Sequence, residues 1–147
     1  MDRSQIVKLL QQHDVTPTRQ RIEIAGYLFQ RHQHLSAENI LEGVNAESNR
    51  VSRATVYNTM GLFTDKGLVR EVLIDRERVF YDTNRSDHHH VYDVDSGELY
   101  DVMPSKIEIA AIPDLPEGAH IVGTNVILRV SKKQERVARD EGRVSNE

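Results

Sequence analysis

Helical periodicity ending at Gly67, a switch to two short β-rich runs, and a second set of alternating segments beyond residue 84 predict an α+β fold. Their order divides the chain into residues 1–83, residues 84–131 and a charged tail over residues 132–147. In the first part, Ser4 to Gln12 places Ile6, Val7, Leu9 and Leu10 on one helical stripe. "DVTPTRQR" interrupts it, because Pro17 drives the residue before it toward extended geometry. Thr18 is the expected N-cap of a second helix running through Arg31, with Ile22, Ala25, Leu28 and Phe29 facing inward. Ser36 caps a short third helix. Ser52 opens a fourth, which carries Val56, Met60 and Phe63 at helical spacing and closes at Gly67. "LVREVLID" and "RVFYDT" then read as a two-stranded hairpin around the polar turn "DRE".

The second part has a different period. "HHHVYDV" and "GELYDV" alternate on either side of the turn Asp95-Ser96-Gly97. "PSKIEIAAI" suits one short helix with Pro104 in its first turn, and "HIVGTNVILRV" supplies a third strand. Three strands and a helix make a thin unit, expected to be covered by a second copy of itself. The tail "SKKQERVARDEGRVSNE" is charged and reads as a solvated end.

Composition narrows the function. No run approaches the roughly 18 apolar residues of a membrane span. The amphipathic start "MDRSQIVKLLQQH" carries both charge signs and does not read as a signal peptide, so a cytoplasmic protein is expected. The formal charge of −4 is uneven: residues 1–82 hold eleven basic and eleven acidic residues, residues 83–147 eight and twelve. With no cysteine in the chain, disulfides and thiolate zinc sites are excluded.

Helices followed by a two-stranded hairpin form a winged helix, whose last helix before the hairpin enters the DNA major groove. On that helix Ser52, Arg53, Thr55, Tyr57 and Asn58 can reach phosphate or base edges, although composition alone fits a solvated face equally well. Arg19 joins the candidate DNA contacts, as does Arg76 on the wing between Arg70 and Arg78. The acidic part holds the other cluster: Ser86 to Asp101 contains three consecutive histidines, four aspartates and a glutamate. His88 and His90 are two apart, so on a strand both point to one face. Alone, the run fits a loop without function as well as a metal site.

The motifs "TPTRQR", "HLSAENI", "RATVYNTMGLFTDKGLV", "RVFYD" and "DHHHVYDVDSGEL" follow in the order seen in the ferric uptake regulator superfamily. The chain resembles that family over roughly residues 5–130. The resemblance implies a dimeric, metal-dependent transcription factor, with an N-terminal winged-helix DNA-binding domain and a C-terminal α/β dimerisation domain. Its regulatory metal would fall on His34, Asp82, His88, His90 and Asp101. Three imidazoles and two carboxylates suit Fe²⁺ or Mn²⁺, with Zn²⁺ favoured by intrinsic affinity. Aspartate at the wing position resembles the peroxide-sensing branch, in which bound Fe²⁺ leads to oxidation of ligand histidines, here His34 and His88. The family's C-x-x-C structural zinc would begin at Asp93 and Ser96 and is absent, which resembles the haem-sensing iron response regulator branch. A second metal or haem site would use Asp87, His89 and Glu108, weakened by Thr124 or Asn125 where a histidine is expected. The resemblance predicts a repressor of iron-homeostasis or peroxide-stress genes acting on a palindromic operator. The readings outside it are a metal-buffering or haem-binding protein and a His/carboxylate metalloenzyme. No general base is placed beside a pocket in the sequence, so an enzyme is not expected.

Overall fold

A computed structural model describes residues 1–134, and among them the chain forms two compact units, Met1–Ser86 and a second beginning at Asp87. The first is built from four helices and a small sheet: α1 (Arg3–Gln12), α2 (Arg19–Leu28), β1 (His34–Leu35), α3 (Ala37–Val44), α4 (Arg53–Asp65), β2 (Arg70–Leu73) and β3 (Val79–Asp82). Each helix begins on a side-chain cap. Asp2, Thr18, Ser36 and Ser52 accept from the backbone amides of Gln5, Arg21, Asn39 and Thr55, which satisfies donors the helix itself cannot. The fourth helix ends as Gly67 takes φ +75°. The Leu68 amide then donates to Phe63 O and the Gly67 amide to Thr64 O, closing the last turn. The first helix ends in the same way through Asp14, whose φ of 57° puts a non-glycine residue in the left-handed region.

Ile6, Leu10, Ile24, Ala25, Leu28, Ile40, Val56, Met60 and Phe63 form the buried core between these helices. The stripes on α1 and α4 therefore face inward as their spacing requires. The second helix stops at Leu28, three residues before the expected Arg31. The Gln33 side-chain amide donates to Tyr27 O at 3.2 Å and Leu28 O at 2.8 Å, so a side chain five to six residues on takes the terminal carbonyls. The sheet has the order β1-β3-β2, antiparallel throughout, so the wing hairpin gains a short third strand.

The second unit holds β4 (His89–Asp93), β5 (Leu99–Val102), a single 3₁₀ turn over Pro104–Lys106, and β6 (Ile127–Val130). Its sheet order is β5-β4-β6, with β4 antiparallel to β5 and parallel to β6. The turn Asp95-Ser96-Gly97 forms as expected, Gly97 at φ +78° and its amide donating to Asp93 O. The helix expected over "PSKIEIAAI" does not extend beyond that 3₁₀ turn, and residues 107–126 are irregular. Pro113 disfavours helical geometry at Ile112. Ile109, Ile112 and Leu115 are exposed, so a helix here would bury no apolar face to offset its ordering cost. Among the described residues no helix is long and apolar enough to cross a membrane. The tail expected over residues 132–147 lies outside the described residues from position 135 onward.

Candidate metal ligands and nucleic-acid face

Two groups of donors are assembled, one in each unit. In the first, β1 and β3 place His34 directly opposite Asp82, and His34 Nε2 lies 3.2 Å from Asp82 Oδ2. Asp82 is fully buried. Its Oδ1 accepts from the Asn84 amide at 2.8 Å, which leaves Oδ2 turned to the imidazole. A reciprocal tie fixes this pair: the Gln33 amide donates to Thr83 Oγ1 at 2.9 Å, and the Thr83 amide to Gln33 O at 3.2 Å. Gln33, Thr83 and Asn84 were not legible as site residues in the sequence. Their roles run through backbone amides, and their only signal is adjacency to His34 and Asp82.

In the second unit, His90 on β4 is the register partner of Asp101 on β5. Asp101 Oδ1 stands 3.3 Å from His88 Nε2 and 3.7 Å from His90 Nε2. The two rings meet edge to face at 4.6 Å between centroids, and both are buried. One carboxylate oxygen thus faces two imidazole Nε2 atoms, which gives this unit three donors around one point.

His89 belongs to a different setting. Its Nδ1 accepts from the Val126 amide at 3.2 Å, so only Nε2 is left to a ligand. With Asp87, His88, Pro104 and residues 121–124 it lines a pocket of about 320 Å³. Thr124 is among the lining residues; Glu108 lies in the irregular segment and is not.

The candidate DNA contacts fall on one helix and its surroundings. Ser52 Oγ accepts from the Thr55 amide at 3.2 Å and its hydroxyl donates to Thr55 Oγ1 at 2.9 Å, so both side chains serve the start of α4. Arg53, the first residue of the helix, donates from Nη1 to Glu38 Oε1 on α3. Tyr57 is exposed despite its size, at 49%, and Asn58 is exposed one residue on. Arg19 pairs with Glu23 at 3.6 Å along α2, and Arg76 is exposed in the β2–β3 turn.

Two grooves flank α4. One is lined by Thr18, Gln20, Arg21, Thr55, Asn58 and Thr59, and holds no carboxylate. The other is lined by Ser36, Ala37, Glu38, Tyr57, Glu71, Glu77, Val79 and Tyr81. Tyr81 was also missed in the sequence, being read only as a strand residue. Burial, and then the charge of Glu71, push its hydroxyl pKa above the usual tyrosine range.

Comparison with known proteins agrees with this architecture. The model of the Ferric uptake regulator family matches residues 12–129. The chain is similar to the peroxide-responsive repressor PerR of Staphylococcus aureus (strain USA300), 32% identical over 92 residues, which is 63% of this chain and 62% of that protein. The match thus spans about three-fifths of that relative. Among solved structures, the ferric uptake regulator from Pseudomonas aeruginosa with manganese is 26% identical at a TM-score of 0.67, over 86% of this chain and 97% of that one. The Vibrio cholerae ferric uptake regulator, 19% identical at a TM-score of 0.68 over 85% and 98% of the two chains, shares the fold. With a family model matched across both units and the motifs in their expected order, the chain belongs to the ferric uptake regulator family.

Proposed function

We propose that the protein is a dimeric, metal-dependent transcriptional repressor of the peroxide-responsive kind. In this reading His34 and Asp82 of the first unit, with His88, His90 and Asp101 of the second, hold one divalent ion. The observation that carries it is the pre-assembly of each donor group: a histidine–aspartate pair at 3.2 Å in one unit, and two histidines around one aspartate oxygen at 3.3 and 3.7 Å in the other. The donors are imidazole nitrogen and carboxylate oxygen without thiolate, a set that fits Fe²⁺, Mn²⁺ or Zn²⁺. When bound, the ion supplies positive charge that draws ligands from both units to one centre.

The chain's own residues do the rest. Thr83 and Gln33 lock β1 to the end of β3, so His34 cannot turn without disturbing the wing. Asp101 holds the His88 and His90 rings with Nε2 facing it, which turns both nitrogens to one point in advance; each would give up its N–H proton to ligate the ion. Tying the wing to the sheet of the second unit sets how the two copies of α4 in a dimer present Tyr57, Asn58 and Arg53 to half-sites of an operator. Oxidation of His34 or His88 removes a donor, and operator binding is lost with it. The dimer reading is supported by the apolar residues that the second unit leaves exposed, including Tyr100, Met103, Ile109, Leu128 and Val130. A cytoplasmic location follows from the DNA-binding role.

The test is a gel-shift titration of metal-free protein against a palindromic operator-like duplex under anaerobic conditions. Mn²⁺ and Fe²⁺ are expected to switch binding on, and peroxide to abolish it in the Fe²⁺ form alone. Metal-free protein that binds the duplex as tightly as the Mn²⁺ form contradicts the reading, and release by haem in place of peroxide moves the signal to haem.

A further inference from the structure

Arg53 stands at the head of the helix that the proposed function assigns to DNA, yet its guanidinium is already engaged. Nη1 donates to Glu38 Oε1 across the α3–α4 contact. Neither residue was paired with the other in the sequence, where they lie fifteen positions apart. The carboxylate is well placed to hold on: Glu38 sits in the first turn of α3, where the helix dipole favours an anion. Both side chains remain open to water, Arg53 at 62% and Glu38 at 48% exposure. An ion pair so open to water holds its partners loosely, so another anion can exchange for the carboxylate.

The surroundings have a sign. On the Glu38 side of α4, the groove gathers three carboxylates, Glu38, Glu71 and Glu77, around Tyr57 and Tyr81. On the other side, the groove of Thr18, Gln20, Arg21, Thr55, Asn58 and Thr59 has none. A phosphate backbone reaching α4 meets repulsion from one flank only. The cation nearest that flank on the helix is the one Glu38 neutralises.

We propose that Glu38 is a built-in competitor for DNA at Arg53, its carboxylate occupying the guanidinium that a backbone phosphate takes when the operator binds. This rests on α4 being the DNA-reading helix. Binding then exchanges a carboxylate for a phosphate oxygen, with no net gain of an ion pair at this position. Because a phosphate contact carries no sequence information, the competition lowers affinity for any duplex and leaves discrimination to residues such as Tyr57 and Asn58. Glu38 is a positioning residue: it acts through Arg53 and touches no base.

The experiment measures duplex affinity across a salt series for the Mn²⁺-loaded wild type, Glu38→Gln, Arg53→Ala and the double variant, with melting temperature confirming each fold. Glutamine keeps the shape and hydrogen-bonding capacity of Glu38 and removes its charge. The expected result is a roughly three- to tenfold gain in affinity for Glu38→Gln on operator and random duplex alike, the scale of a released surface ion pair plus lost repulsion. The salt dependence should steepen by up to about one phosphate contact. In the Arg53→Ala background the same change should give a clearly smaller gain, the lost repulsion alone. Unchanged or weaker binding by Glu38→Gln overturns the proposal, as does a gain as large without Arg53 as with it. A wild type that binds no duplex at any salt overturns the DNA reading itself, and the competitor role with it.

Discussion

At the scale of single residues, the histidine run is three residues with two destinies. His88 and His90 turn their Nε2 atoms to Asp101, while His89, between them, spends Nδ1 on the Val126 amide. The alternation of a strand produces this split, because neighbouring side chains leave opposite faces. His90→Ala should therefore weaken Mn²⁺ binding by at least about 10–100-fold, on the scale by which even outer-shell partners of metal ligands matter. His89→Ala should leave that affinity unchanged. Competition against a fluorescent chelator measures both, and equal losses from the two substitutions would sink the assignment of faces. The H-x-H spacing was readable in the sequence. Spacing alone did not say which carboxylate the two rings share; Asp101 came from the family resemblance, and it meets His90 through the β4–β5 register.

At the scale of elements, caps and turns were the most legible features. Thr18, Ser36, Ser52, Gly67 and the Asp95-Ser96-Gly97 turn all act locally, within four residues of what they control. What escaped were features fixed by distant partners. The second helix stops early because Gln33 reaches back to its carbonyls. The two-residue strand β1 exists only through its pairing with β3 and has no pattern of its own. The helix expected after Pro104 lacked a surface to pack on. A third long-range tie sits at the far end of the second sheet. Asp95 accepts from the Lys132 amide at 2.9 Å and from the Ser131 hydroxyl at 2.9 and 3.1 Å, clasping the β4–β5 turn to the end of β6. The Lys132 amide first, and then Ser131, hold its carboxyl below the ordinary aspartate range. A depressed folded-state value means the clasp contributes fully above the ordinary aspartate pKa and is lost as pH falls through the lowered one. Carboxyl NMR should give a midpoint below that of an ordinary aspartate, with faster exchange of the Val94 amide in Asp95→Asn. A normal midpoint for Asp95 contradicts the clasp.

At the scale of the whole molecule, the sequence pointed to a family through the order of five motifs, and the family model matches residues 12–129. The fold class was equally legible, since periodicity changes from helical to alternating where the helices give way to strands. Charge divides later, at the boundary between the two parts: a neutral first part carries the candidate DNA face, and an acidic second part is rich in donors.

The central claim is that the donors of both units serve one ion, and calorimetric titration of Mn²⁺ into metal-free protein tests it most directly. Asp82→Ala removes a donor from the first unit and His88→Ala one from the second. The account predicts that each variant weakens the same tight binding event of the wild type by at least about 10–100-fold. If either variant keeps the wild-type affinity, the two groups of donors do not share an ion.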